Sequence, residues 1–221
     1  MSWSARATAV AVTVLLALGT IGEAQAKGDA PDVLQQEIDE VLATTEGGVQ
    51  ISRNEIAWNG GEAILVFPLP GESAAPVSSA SAQKLQAKVA GLPLSTTEGE
   101  PAGVDPESGV SIAASDSCPT ETFGNDWYCF YQYTNYGGRR LQWNNSHTFA
   151  VYFSDYGFEN KTSSWSNKGG KTITVANRSK TGDDLSCREG NGIALWRELP
   201  HSRASSVSAS LDNKADCFWT S

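Results

Sequence analysis

All four cysteines of this 221-residue chain, Cys118, Cys129, Cys187 and Cys217, lie in its second half, and so do most of its rings. All six tyrosines, six of the seven phenylalanines and five of the seven tryptophans follow residue 116. A packed core forms where large apolar side chains are, so residues 117–221 are the expected folded domain. An even number of cysteines in a small domain reads as two disulfides made in an oxidising compartment. A zinc site is the rival reading, but it usually shows C-x2-4-C pairs that bring two thiolates to one ion. The gaps here are 11, 58 and 30 residues. The pairing expected is Cys118 with Cys129 and Cys187 with Cys217. Closing loops of that size contributes roughly 3 kcal/mol each by chain entropy, a useful addition to a small core.

The start of the chain is consistent with export. Arg6 precedes an apolar stretch from Ala9 to Leu18, and Ala24-Gln25-Ala26 supplies the small residues of a signal-peptidase site. Residues 1–26 are therefore expected to be a signal peptide, and the product secreted and extracellular. The longest apolar run, Ala7 to Leu18, is shorter than the roughly 20 residues that cross a bilayer, so no mature membrane span is expected. With 16 basic against 25 acidic residues, the chain lacks the clustered positive surface that phosphate neutralisation requires. Nucleic acid is not an expected partner.

The acidity belongs to the front half. Residues 27–116 hold 14 acids and 4 bases, whereas residues 117–221 hold 10 acids and 11 bases. Within residues 27–69, DVLQQEIDEVLAT places Val33, Leu34, Ile38, Val41 and Leu42 near one helical face, with Asp32 as cap and Gly47-Gly48 as terminator. VQIS, EIAW and AILVF follow, with Asn59-Gly60 accepting the positive φ of a hairpin. A small acidic αββ segment is expected. Residues 70–116 are rich in Ala, Ser, Gly, Pro and Glu and lack aromatic residues, too little apolar surface to offset the entropy of ordering. They read as a low-complexity, disordered linker, apart from a short helix at Ala82 to Ala90; the acidic segment could be a propeptide, a spacer or a stalk.

Beyond Cys118, short aromatic and β-branched runs alternate with Gly, Asn, Asp and Ser: YCFYQY, RRLQW, FAVYF, KTITVAN, GIALWREL and CFWT. This spacing predicts an antiparallel, all-β sandwich. Tyr131, Tyr136 and Gly138 form an aromatic-x4-aromatic-x-glycine run. A hairpin can fold over itself there if the last residue lacks Cβ and the rings cover it. Val175, Lys180 and Gly182 repeat the spacing without the rings, and ENKTSSW from Glu159 is echoed by DNKADCF from Asp212. Two copies of one supersecondary unit explain both echoes.

At CFYQYTNYGGRRLQW and ENKTSSW the chain resembles the βγ-crystallin fold, and its layout is similar to secreted actinobacterial proteins of the Streptomyces metalloproteinase inhibitor family. The resemblance covers Cys118 to Ser221. It implies a two-Greek-key, disulfide-braced sandwich that occupies a secreted protease without being an enzyme. It also implies calcium as a ligand of the two loops, with Glu159, Asn160 and Ser163 from one and Asp212, Asn213 and Asp216 from the other, because such sites gather oxygen donors flexibly. Glu159 is longer than the family's Asn or Asp, Asp216 replaces a hydroxyl and Cys217 the final serine. Solvated turn residues are the alternative. No reactive bond of the inhibitor can be placed, since the family's short C-x4-C pair is absent.

Little else in the chain suggests catalysis. His147 and His201 are its two histidines and read as solvated loop residues; neither lies in H-E-x-x-H, and no G-x-S-x-G elbow is present. No catalytic residue and no required cofactor is expected. The alternative to inhibition is a killer-toxin-like module that binds cell-envelope glycan by stacking on Trp127, Trp143, Trp165 or Trp196, though such residues are more often core. Arg139-Arg140 reads as a solvated face or as a contact for an acidic partner.

Overall fold

Successive side chains of an extended strand point to opposite sides, and in YCFY, residues 128–131, both sides are apolar or aromatic. Such a strand has to be covered on both faces. The computed structural model, which describes residues 32–91, 116–119, 127–144, 147–178, 187 and 193–221, places two covers on it. In chain order the elements are α1 (Val33–Thr44), β1 (Val49–Ser52), β2 (Glu55–Trp58), β3 (Ala63–Val66), α2 (Ala80–Val89), β4 (Tyr128–Tyr131), β5 (Arg140–Trp143), β6 (Val151–Tyr152), β7 (Ser164–Asn167), β8 (Ile173–Asn177), β9 (Ile193–Glu198), β10 (Ser202–Ala204) and β11 (Cys217–Thr220).

The strands form a seven-stranded sheet, β1-β2-β3-β5-β4-β7-β10, and a four-stranded sheet, β6-β11-β8-β9. Strands β4, β5 and β7 stay in the first sheet while β6 crosses to the second. Strands β8, β9 and β11 stay in the second while β10 crosses to the first. Two copies of one four-strand unit, each lending its third strand to the other's sheet, account for this order. This is the two-Greek-key sandwich that the resemblance implied, and the duplicated unit that the echoes in the sequence indicated.

Between the sheets, Tyr128, Phe130, Leu141 and Trp143 meet Phe153, Ile173, Val175 and Phe218. The Phe130 ring lies 4.9 Å from that of Phe153 and 5.3 Å from that of Phe218. On the other face of the first sheet, Cys129 and Tyr131 join Ile64, Val66, Ala82, Cys118 and Trp127. Helix α1 buries Leu34, Ile38 and Val41 into the first of these clusters. Its first turn is capped by Asp32, whose Oδ1 accepts the Leu34 amide at 3.1 Å. Val33, expected on the same face, points to solvent, because one residue along a helix turns through about 100°.

Two expectations are corrected here. The αββ segment contains three strands, because VQIS pairs with EIAW and EIAW with AILV across a turn with positive φ at Asn59, Gly60 and Gly61. Strand β3 also pairs with β5, Ala63 opposite Trp143 through Val66 opposite Arg140, so the sheet runs across the boundary expected between residues 69 and 117. Nor do residues 70–91 behave as a linker. Ala74 bridges Gly138, Ser79 caps α2, and Ala82, Gln86 and Ala87 are buried. Helix α2 packs close to the turn before β3: a Cβ on Gly61 would fall 2.5 Å from the Leu85 Cβ. Residues 1–26 and 92–115 lie outside the described residues. Among those described, no helix is long and apolar enough to cross a membrane.

Candidate functional site

The residues singled out by sequence gather at a folded hairpin and at two loops that lock onto it. Between β4 and β5 the chain turns at Thr134–Tyr136, with Asn135 and Tyr136 both at positive φ. The Tyr131 and Tyr136 rings meet edge-on at 5.3 Å. Gly138 has φ +70°, and a Cβ there would lie 2.7 Å from Cδ2 of Tyr133 and 2.8 Å from Cβ of Gln132. Tyr133 therefore lies against the glycine, where the Tyr131 and Tyr136 rings were expected to cover it.

Ser163 and Ser164, at the end of ENKTSS, hold this hairpin down. The Ser164 hydroxyl accepts the Tyr136 amide at 3.1 Å and donates to the Tyr133 carbonyl at 2.6 Å. The Ser163 hydroxyl donates to the Gln132 carbonyl at 2.9 Å, and its amide to the Tyr131 carbonyl at 2.9 Å. Ser164 was not among the predicted site residues, although it closes the quoted motif. In the second copy its place is taken by Cys217: Ser164 stands opposite Tyr131, and Cys217 opposite Ala176. The equivalence thus falls on Ala176, one residue beyond Val175, where the β8–β9 register is irregular. Gly182 lies outside the described residues.

The two loops pair reciprocally. Asn160 and Asn213 both have positive φ; the Asn160 amide donates to the Ala215 carbonyl at 2.9 Å and the Asn213 amide to the Thr162 carbonyl at 3.3 Å. Two of their three carboxylates, those of Glu159 and Asp216, are met by one residue, Arg178, which sequence reasoning did not single out. Its amide donates to Oδ2 of Asp216 at 2.8 Å, and its guanidinium lies 3.4 Å from Oε1 of Glu159, 2.7 Å from Oγ of Ser154 and over the Tyr152 ring. Asp212 accepts from its neighbour Asn213 and keeps one buried oxygen without a hydrogen bond among the described residues. A cation here would meet a guanidinium, where Ca2+ wants six to eight oxygens. These donors do not fit the ion as they stand, and the loops are held by protein contacts.

Both predicted disulfides are present, Cys118–Cys129 and Cys187–Cys217. The first is anchored by Asp116, which is only 5% exposed. Asp116 Oδ2 accepts Lys168 Nζ at 2.6 Å and Ser166 Oγ at 2.9 Å, and Oδ1 accepts the Cys118 amide at 3.1 Å. The Tyr131 hydroxyl donates to the Asp116 carbonyl at 2.5 Å. Burial acts to raise the Asp116 carboxyl, but the bonds from Lys168 and Ser166, the Lys168 charge and the Cys118 amide outweigh it and hold the group below its usual range. No spacing signal marked Asp116, which sits at the end of the expected linker.

Other expectations are altered by burial. Trp127 and Trp143 are fully buried and Trp165 nearly so, so they offer no face to a sugar. Trp196 is half-buried and donates to Oε1 of Glu198 at 3.0 Å. His147 is not a solvated loop residue: its side chain is 18% exposed and packs edge-on against Phe218. His201 is exposed. Arg139 and Arg140 do meet acidic and polar partners, but within the same chain: Glu37 and the Pro76 carbonyl from residues 32–91, and Gln142 of β5.

The sequence pattern of peptidase inhibitor family I36 matches residues 112–184, about a third of the chain. That span includes the hairpin, the ENKTSS loop, Asp116 and the Cys118–Cys129 pair. No curated protein matches the sequence. Among solved structures, one reported under the evolution of the eye lens βγ-crystallin domain fold aligns at 17% identity over 44% of this chain and 85% of its own, with a TM-score of 0.32. A βγ-crystallin from an archaeon aligns at 20% identity over 44% of this chain and 99% of its own, with a TM-score of 0.31.

Proposed function

We propose that this protein is an exported peptidase inhibitor that acts on a secreted metalloproteinase by occupying it, not by catalysis. The observation that carries the reading is the family I36 match over residues 112–184. The anchoring of the Cys118–Cys129 disulfide supports it. Cys118, Trp127 and Cys129 are all buried, and Asp116 fixes the approach to Cys118 through Lys168 and Ser166. Loop ends that are fixed before the chain meets an enzyme do not have to be ordered by binding. The second disulfide lies outside the matched residues, which favours the first as the one that braces the contact.

The test is a titration of the purified full-length chain against a thermolysin-like metalloproteinase and a subtilisin-like serine protease. Inhibition of the metalloproteinase at micromolar concentration or below is expected, weakened in a folded Cys118→Ala/Cys129→Ala variant. Activity of both enzymes unchanged at saturating protein overturns the reading. Inhibition of the serine protease alone would keep the inhibitor and reject the metalloproteinase as its target.

A further inference from the structure

Residues 32–91 are acidic, with eight acids against three bases, and the structure builds them into the aromatic-rich half on both faces of the larger sheet. On one face, the Trp58 ring meets Tyr156 edge-on at 5.2 Å, and Val41 fits over Gly157, where a Cβ would lie 3.1 Å from its Cγ1. Arg139 donates to Oε2 of Glu37 at 2.9 Å and lies over the Phe67 ring at 4.7 Å. On the other face Arg140 is fully buried. Its Nη1 donates to the Pro76 carbonyl at 2.8 Å, its Nε to Gln142 at 2.7 Å, and Gln142 in turn to Oγ of Ser78 at 3.2 Å. Glu55, also fully buried, accepts the Ser79 amide at 2.8 Å and the Ser79 hydroxyl, and its charge helps to oppose the cost of burying Arg140.

Between the two faces, β3 pairs with β5 along its whole length. A propeptide that departs leaves behind a domain whose core and edges are complete. Here departure would bare the β5 edge, uncover part of the main core, and strip the buried Arg140 of its carbonyl acceptors, each a cost that an intact interface avoids. We infer that residues 32–91 are a permanent layer of the mature protein, and that cleavage anywhere within residues 92–115 yields a two-chain complex that stays together. The partner that fits the β5 edge is thus an acidic segment of the same chain. This holds whether or not the protein inhibits a peptidase.

The experiment places a recognition sequence for a sequence-specific protease after Gly103 in the full chain, cuts it, and confirms the cut on a denaturing gel. All four cysteines lie on the C-terminal piece, so no disulfide can join the two products. On size-exclusion chromatography both pieces are expected in one peak at the elution volume of the uncut protein. The melting midpoint of the cut protein should depend on concentration, as that of a two-chain complex must. Two separate peaks, with the C-terminal piece monomeric and retaining its near-ultraviolet dichroism, would overturn the inference.

Discussion

The Tyr136 amide and the Ser164 hydroxyl, 28 residues apart in sequence, are joined by a hydrogen bond of 3.1 Å. The same hydroxyl donates to the Tyr133 carbonyl, so one buried serine satisfies both a donor and an acceptor of the folded hairpin. Replacing it by alanine leaves both groups unpaired, and the cost expected for Ser164→Ala is about 2 kcal/mol. Gly138→Ala should cost at least as much, because the residue sits at positive φ and its Cβ would collide with Tyr133 and Gln132. Urea denaturation of the full chain checks both; unchanged midpoints would show that the hairpin is held by something else.

Asp116 makes stability depend on pH at the acid end. Its folded-state pKa is depressed, so its contribution is fully present above the ordinary carboxylate range and is lost as pH falls through the folded value. Asp116→Asn removes that dependence and should lower stability at neutral pH by roughly 2 kcal/mol, the scale of a charge-assisted bond. Melting curves of both proteins from neutral to acid pH should converge as pH falls. A constant gap at every pH would mean that the carboxylate charge contributes nothing.

Glu198 has the opposite sign. Its carboxyl is fully buried with one oxygen unpartnered among the described residues, and burial raises its pKa well above the usual value despite the Trp196 bond. With a raised folded-state pKa, stability is greatest below the unfolded value and declines as pH climbs from there to the folded one. Glu198→Gln keeps the Trp196 acceptor without the charge. It should raise the midpoint at neutral pH by about 2–4 °C, the shift that about 1 kcal/mol produces in a domain of this size. The gain should vanish at acid pH; destabilisation at neutral pH would contradict the assignment.

Calcium offers a test of the loop pair. Because Arg178 engages both Glu159 and Asp216, millimolar CaCl2 is expected to leave the melting midpoint unchanged. A ligand that binds only the folded form must raise it, so a rise of several degrees would show that the loops admit the ion after displacing the guanidinium.

The echo of ENKTSSW by DNKADCF was readable in advance because each copy folds the same short loop through a left-handed asparagine, Asn160 or Asn213. Period-two patterning and glycine placement depend on neighbours within a few residues, which is why the hairpin and the sandwich were legible; the disulfides were legible from the even count and wide spacing of the cysteines. Arg178 and Asp116 were not, since each acquires its role from side chains distant in sequence, Glu159 and Ser154 for the one and Ser166 and Lys168 for the other.

The chain's own order of residues determined a duplicated antiparallel sandwich, its bracing by sulfur, and the helix that Asp32 begins, products of local periodicity, of the cysteine count and of where large apolar side chains are concentrated. Tertiary structure alone decided that the acidic, alanine-rich front half joins the same sheet. An alanine or a buried glutamate states no preference by itself: Ala82 is core because α2 lies close to the sheet, and Glu55 is tolerated because Ser79 meets it there. That outcome depends on which strand edge is open when the chain collapses, a property of the assembled fold that no window of sequence contains.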